Sequence, residues 1–182
     1  CLKSVQWADE IVVVDSFSTD RTVEIAESLG ARVIQNRFEG YPLQKNFAIT
    51  QVKYDWIINI DADERVTEEL RDEICDLLER GPSQDGYFIY RRNFVFGHEV
   101  RYSGWNHDRV LRFVRREKCR YPDRLIHIEI PLENPGVLQG KILHYTYRTY
   151  DDYIEKVRRY IIGAGRDYYN EGRRAKLYNL VF

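Results

Sequence analysis

Asp55-Trp56-Ile57-Ile58-Asn59-Ile60-Asp61-Ala62-Asp63-Glu64-Arg65 is the stretch whose reading decides the fold. Four β-prone apolar residues, Trp56, Ile57, Ile58 and Ile60, are broken only by Asn59. Such a run suits a strand buried on both faces of a mostly parallel sheet. It stops in three acids, Asp61, Asp63 and Glu64. Residues i and i+2 of a strand point the same way, so Asp61 and Asp63 are expected to project together from its carboxyl end. Open α/β sheets bind their ligands at that end. Two carboxylates there suit a hard divalent cation such as Mg2+, which in turn holds a phosphate. An acidic D-x-D tripeptide is common by chance, and a solvated turn is the alternative; its place at a strand end is the signal.

Working outward, Glu10–Asp15 reads as another apolar strand ending in an acid. Ser18 or Thr19 is placed to cap a helix over 20–29, closed by Gly30. A short strand, 31–35, a loop, 36–40, and a helix, 42–52, lead into the acidic strand. Strands alternating with helices at this spacing imply βαβ units. Thr67 then caps an amphipathic helix that Gly81-Pro82 stops. Beyond Ser83 the texture changes: 86–96, 108–115, 125–132 and 141–147 read as strands without long helices between them, hence antiparallel additions. From Thr149 the chain turns helical, with Thr149 and Asp152 spaced as a capping box. Tyr153, Val157, Tyr160, Ile161, Ala164 and Tyr168 form an apolar stripe on that helix, and Lys156, Arg158, Arg159, Arg166, Arg173, Arg174 and Lys176 make the rest basic.

The 182 residues are enough for one substantial core and contain no apolar run long enough to span a bilayer. Three cysteines, scattered and odd in number, fit a reducing compartment better than a disulfide framework. With no methionine, Cys1 is not expected to be a translation start, and the chain reads as a fragment. The net charge of −1 conceals an asymmetry: residues 1–84 hold 9 basic and 17 acidic side chains, and residues 85–125 hold 10 and 5. An acidic half facing a basic half suits a polyanionic small ligand bridged by a cation. No dense basic run or aromatic-basic motif argues for nucleic acid.

The order V-V-V-D-S-F-S-T-D-R-T, Q-K-N-F-A, then D-W-I-I-N-I-D-A-D-E-R-V resembles a family 2 glycosyltransferase with the GT-A fold. G-W-N-H-D-R-V-L-R-F-V-R-R, L-I-H-I-E and I-L-H-Y-T-Y narrow the resemblance to lipopolysaccharide core and related cell-envelope enzymes. It covers essentially the whole chain. It implies a single α/β domain: a nucleotide-sugar and metal half (1–84), an acceptor half (85–148) and C-terminal helices (149–182). The family's first strand would precede Cys1. The implied activity is hexosyl or heptosyl transfer from a nucleotide-sugar donor to a saccharide or lipid-linked acceptor, inverting and dependent on Mg2+ or Mn2+. The implied place is the cytoplasm, at the inner membrane's cytoplasmic face. The turn S-F-S-T-D lacks the family's usual glycine, and His127-Ile128-Glu129 stands where the family has an adjacent His-Glu pair.

The same resemblance gives roles. Asp63 is the direct metal ligand; Asp61 shares the metal or holds the donor's ribose or sugar. His144 stands where some GT-A enzymes supply a further ligand, against a packing role. Asp15 contacts the nucleoside or caps its turn. Lys45 meets phosphate or base, or is a solvated helix lysine. Asp108 is the general base, with an arginine ion pair as the alternative and Glu129 in reserve. Arg109 and Arg112 bind phosphate or acceptor unless they are exposed strand residues, and Trp105 stacks on a sugar or packs in the core. The basic C-terminal helix either packs its stripe on the sheet or rests weakly on an anionic membrane surface. The rival classes are a non-catalytic nucleotide-sugar-binding module and a metal-dependent phosphotransferase; the latter expects D-x-D-G, where this chain has Glu64-Arg65.

Overall fold

The computed structural model describes residues 1–102, 104–122 and 129–174. A 3₁₀ turn, Leu2–Val5, precedes β1 (Val12–Asp15), α1 (Thr22–Ser28), β2 (Arg32–Gln35), α2 (Tyr41–Gln51), β3 (Trp56–Ile58), β4 (Glu64–Val66) and α3 (Glu68–Arg80). The second half runs β5 (Gly86–Val95), β6 (His98–Glu99), β7 (Arg109–Arg115), β8 (Gly136–Tyr147) and α4 (Tyr150–Asn170). The expected α/β order is therefore present, with a strand-rich second half and a helical C-terminus. Of the expected 125–132 strand, 125–128 lie outside the described residues, and 129–132 form no strand. Lys176 and His127 are also outside them.

β1 and β2 pair in parallel with α1 as their crossover. The larger sheet has the order β3-β7-β5-β8-β4, with β6 on β5. Within it only β5 and β8 run parallel. The antiparallel additions thus supply most of the pairing, because no α-helix separates β5 from β7 to give a parallel crossover. β3 ends the order, so Trp56, Ile57 and Ile58 are half-buried, not enclosed as the run suggested. Both faces are covered all the same. Trp56 and Ile58 pack on a core built around Leu70, Ile74, Ile89, Phe113 and Ile142, while Ile57 packs on a second core of Leu111, Val114, Cys119, Tyr121 and Ile130. α2 joins the second core through Ile49, and Asn46 clamps the Tyr121 backbone with two bonds of 2.9 Å.

α3 behaves as its sequence requires. Thr67 Oγ1 accepts the Leu70 amide, Leu70 and Ile74 bury one face, and Gly81 closes the helix with φ +83°. β8 starts at Gly136, five residues before the strand read from sequence, because Gln139-Gly140 interrupts the alternation. Pairing jumps there from Ile89–Leu138 to Tyr90–Lys141. The Gln139 and Gly140 amides of this bulge donate to the Glu73 carboxylate of α3 at 2.9 and 2.7 Å. A Cβ on Gly140 would lie 2.4 Å from Leu70 Cα, so only glycine lets α3 approach this closely.

Two local expectations change. α1 begins at Thr22 with no side-chain cap from Ser18 or Thr19. The Ser18 amide instead donates to Asp15 Oδ2 at 3.0 Å, closing a turn that delays the helix, and Asp20 accepts the Thr22 amide. In that turn Phe17 adopts φ +60° and is 57% exposed. α4 has its capping box, but none of its residues is fully buried, and Tyr160 and Ile161 are 57% and 66% exposed. The stripe is therefore not a core face: α4 meets the sheet mainly through the Tyr147–Tyr153 ring contact and Lys156.

Two substitutions check these constraints by urea unfolding. Gly140→Ala should destabilise by about 1–3 kcal/mol through overpacking against Leu70. Phe17→Gly should stabilise by roughly 1 kcal/mol by relieving a left-handed residue. A neutral Gly140→Ala would mean that α3 does not seat on the β8 bulge.

Candidate active site

Between β3 and β4 the chain makes a turn closed twice. The Glu64 amide donates to the Asp61 carbonyl at 2.9 Å, and the Asp61 amide donates to Glu64 Oε2 at 3.0 Å. Asp61 and Asp63 therefore sit on a turn, not on the end of a strand, and the period-two argument does not govern them. They face different partners. Glu64, the first residue of β4, is fully buried; its Oε1 accepts from Arg112 at 2.8 Å and lies 3.5 Å from Arg91. Arg112 also donates to Asp61 Oδ2, and Lys45 of α2 lies 3.1 Å from Asp61 Oδ1. Burial pushes the Asp61 carboxyl up, but Arg112 and Lys45 outweigh it and hold it well below the usual carboxylate range. Burial likewise opposes the Arg112 charge, and Asp61 and Glu64 overcome it and raise its pKa. Burial and then Arg112 lower the pKa of Lys45, which is no solvated helix lysine.

A second arm starts at the same Glu64. Arg91 forks onto Asp108 with two bonds of 2.9 Å. Asn93, two residues along β5 and on the same face, donates to Asp108 Oδ2 at 2.8 Å. Its Oδ1 lies 2.6 Å from Nδ1 of His144, its register partner on β8. His144 Nε2 is 3.6 Å from Asp63 Oδ2, and Lys156 Nζ of α4 is 3.6 Å from the same oxygen. Burial raises the Asp63 carboxyl, but His144 and then Lys156 outweigh it, so its pKa falls. At Asp108 burial is likewise outweighed by the Arg91 fork and the Asn93 bond. Asp108 thus sits in an arginine ion pair, which lowers its proton affinity.

Both arms face one cleft of 1330 Å3. That exceeds the roughly 300–1,000 Å3 of ordinary ligand pockets. Lys45, Asp61, Asp63, Asp108, Arg112, Glu129 and His144 all line it, and so does Trp105. α4 walls it with Lys156, Arg159, Tyr160 and Arg166, so part of the basic set reaches the cleft. A smaller cavity of 390 Å3 adjoins it across Arg91 and Trp105. Asp15 and Arg109 are not in the cleft lining. Asp15 is buried in its turn, its pKa lowered first by Ser18, and Arg109 packs 4.8 Å over the Phe88 ring. Glu129 is exposed.

Among the described residues no three His, Cys, Asp or Glu side chains converge for a metal. Asp61 faces two cationic partners, Lys45 and Arg112. Asp63 Oδ2 and His144 Nε2, 3.6 Å apart, still fit a cation completed by phosphate oxygens. Mg2+ is commonly bound by one or two protein groups plus substrate phosphates. Sequence reasoning missed Glu64, Arg91, Asn93 and Tyr121. The alternation of Arg91 and Asn93 on an apolar strand was the available signal, and Glu64 stood in the acidic run without being given a role; Tyr121 gave none. Tyr121 Oη and Arg112 Nε are buried beside the cleft without hydrogen-bond partners among the described residues.

Comparison with known proteins follows this geometry. Residues 1–133 match the model of Glycosyl transferase family 2. Lipopolysaccharide core biosynthesis glycosyltransferase LpsC of Rhizobium meliloti is 33% identical over 190 residues, spanning all of this chain and 70% of that one. A glycosyltransferase of Rickettsia bellii is 46% identical over 112 residues, 62% of this chain and 36% of that one, so the chain spans about a third of that relative's length. Among solved structures, S. aureus TarS 1-349 superposes with a TM-score of 0.55 at 18% identity, covering 86% of this chain and 58% of that one. The same TarS fragment in complex with UDP gives 0.53 at 17% identity, covering 87% and 58%. At such identity these two structures speak for the fold.

The charge network sets an acid limit on stability. Asp61, Asp63 and Asp108 titrate lower in the folded than in the unfolded chain, so the unfolded chain takes up protons first as pH falls. Their stabilisation is complete above the unfolded carboxylate pKa of about 4 and is lost as pH drops through the folded values. Urea midpoints measured from neutral pH downward should fall steeply below about pH 4, and Asp61→Asn should flatten that acid limb. An unchanged slope in Asp61→Asn would contradict the assignment.

Proposed function

The chain belongs to glycosyltransferase family 2, and from that premise we propose that its cleft takes a nucleotide-diphosphate-sugar and transfers the sugar, with inversion, to an acceptor hydroxyl in lipopolysaccharide-core or related cell-envelope synthesis. The observation that carries this reading is the convergence in one cleft of the Asp61–Glu64 turn, Lys45, Arg112, His144 and an exposed Glu129. The LpsC relative supports the process, and the TarS structure with UDP supports the donor class. The cleft draws on all three expected parts of the chain: Lys45 and Asp61 from the first, Arg112, Glu129 and His144 from the second, and Lys156 from the third.

Asp63 and His144 would hold a divalent cation, Mg2+ or Mn2+, whose charge would supply neutralisation for the departing diphosphate. Lys156 stands beside Asp63 and adds positive charge to the same side of the cleft. On the opposite wall Lys45 and Arg112 stand as cations paired with Asp61 and Glu64. Asp61 holds these cations in place instead of binding metal. The acceptor's proton goes to Glu129, whose exposed carboxylate faces the cleft, and Asp108 becomes part of the scaffold. Asp15 shapes its turn, and Arg109 covers the sheet.

The acceptor is a saccharide or lipid-linked saccharide, and the enzyme works on the cytoplasmic side of the membrane. No helix among the described residues is long and apolar enough to cross a membrane. Tyr153, Ile154, Ile161 and Tyr169 of α4 are exposed near Arg158, Arg173 and Arg174. These residues give weak contact with an anionic bilayer, each basic residue contributing about 1 kcal/mol.

Two paired variants test the site. Asp63→Ala should abolish the Mn2+ dependence of nucleotide-sugar binding in calorimetry. Glu129→Gln should leave that binding intact and lower kcat by about 10²–10⁴-fold, the usual worth of a general base. Equal donor affinity with and without EDTA in the unmutated chain would sink the metal role, and a Glu129→Gln variant of full kcat would sink the base.

Flotation with liposomes tests the membrane contact. The protein should float with anionic vesicles at low salt, stay down with neutral ones, and be released by added salt. Failure to float with anionic vesicles would leave α4 as a wall of the cleft alone.

A further inference from the structure

The polar chain that ends at His144 has a direction that hydrogen-bond chemistry fixes. Ionised Asp108 can only accept, so the Asn93 atom 2.8 Å from its Oδ2 is the amide nitrogen. The amide oxygen of Asn93 then faces His144 Nδ1, at 2.6 Å. That oxygen also only accepts, so Nδ1 carries a proton. A neutral imidazole carries one N–H, which leaves Nε2 with its lone pair. Nε2 lies 3.6 Å from Asp63 Oδ2, itself an acceptor, and two acceptors facing each other call for a cation between or beside them. Lys156 Nζ, 3.6 Å from the same oxygen, supplies positive charge there.

Nothing about Asn93 is loose. It is 1% exposed, fixed on β5 opposite His144 on β8, and its partner Asp108 is pinned by the Arg91 fork. Arg91 in turn lies 3.5 Å from buried Glu64. Resting on the reading of Asp63 and His144 as cation ligands, we propose that Asn93 is a positioning residue: anchored by Asp108, it fixes the tautomer and ring plane of His144 so that the Nε2 lone pair is presented toward Asp63. Asp108 thereby gains a role at the reacting centre without touching substrate. Groups that orient a metal-binding histidine through its other nitrogen are commonly worth 10- to 100-fold in metal affinity.

Two readouts test this. In the unmutated, metal-free chain, long-range 1H–15N correlation on 15N-histidine at about pH 8.5, where imidazole is neutral, reports the tautomer directly. His144 should show Nδ1–H and an unprotonated Nε2; an Nε2–H tautomer overturns the proposal, whatever the metal does. This measurement needs no variant, so it stands even if Asn93→Ala folds poorly. Manganese binding in the presence of UDP, followed by electron paramagnetic resonance, should weaken about 10- to 100-fold in Asn93→Ala. Asp63→Ala serves as the parallel control. A folded Asn93→Ala with unchanged Mn2+ affinity overturns the positioning role while leaving the metal site standing. If Asp63→Ala also leaves Mn2+ binding unchanged, the metal reading itself has failed and the role of Asn93 falls with it.

Discussion

Glu64, wholly buried and shared between Arg112 and Arg91, is the interaction on which the rest of the site depends. Burying a carboxylate costs several kcal/mol, and two guanidinium groups offset this only because the geometry is close and further bonds satisfy each member. A hydrophobic residue there would serve stability as well or better. What it would lose is connection. Through Arg112, Glu64 reaches Asp61 and Lys45; through Arg91, it reaches Asp108, Asn93 and His144. Its second oxygen holds the Asp61 amide, so the turn carrying both aspartates is tied to the same point. One buried acid thus sets the position of β4, β5 and β7 relative to the turn between them.

The two arms have different consequences for chemistry. The Lys45–Asp61–Arg112 arm, closed by Glu64, is nearly saturated internally, so it presents fixed, paired charges rather than free ones. Fixed charges do not reorganise as a leaving group develops its own, which is where preorganised electrostatics gain over water. The Asp108–Asn93–His144 arm ends on an acceptor pair, and its open end is what a cation completes. The exposed Glu129 lines the same cleft outside both arms as described.

Much of the architecture was legible in the sequence because local rules and tertiary packing agree there. The Thr67 cap, the Leu70–Ile74 face and the Gly81 stop each follow from nearest-neighbour physics. The Thr149–Asp152 box does too. The acidic run was located correctly but misread in geometry: β3 stops at Ile58, and a turn held by side-chain and backbone bonds replaces the strand end. Periodicity cannot see such bonds. It also could not see the charge network, whose members lie far apart in the chain, as Asp63 and Lys156 do, and meet only once strands, turn and helices are folded together. The strand read over 141–147 starts earlier, at Gly136, with Gly140 inside it admitting α3. The exposed stripe of α4 shows that amphipathic spacing names a face without saying what covers it.

The central claim is that the cleft spanned by this network is the donor site. Hydrogen–deuterium exchange on the chain, with and without UDP and Mn2+, tests it most directly. The account expects new protection at the start of α2 around 41–45, in the 61–64 turn and along 142–147, with little change on the α3 face at 71–80. Protection confined to the smaller cavity beside β6, or no protection at saturating nucleotide, would contradict it.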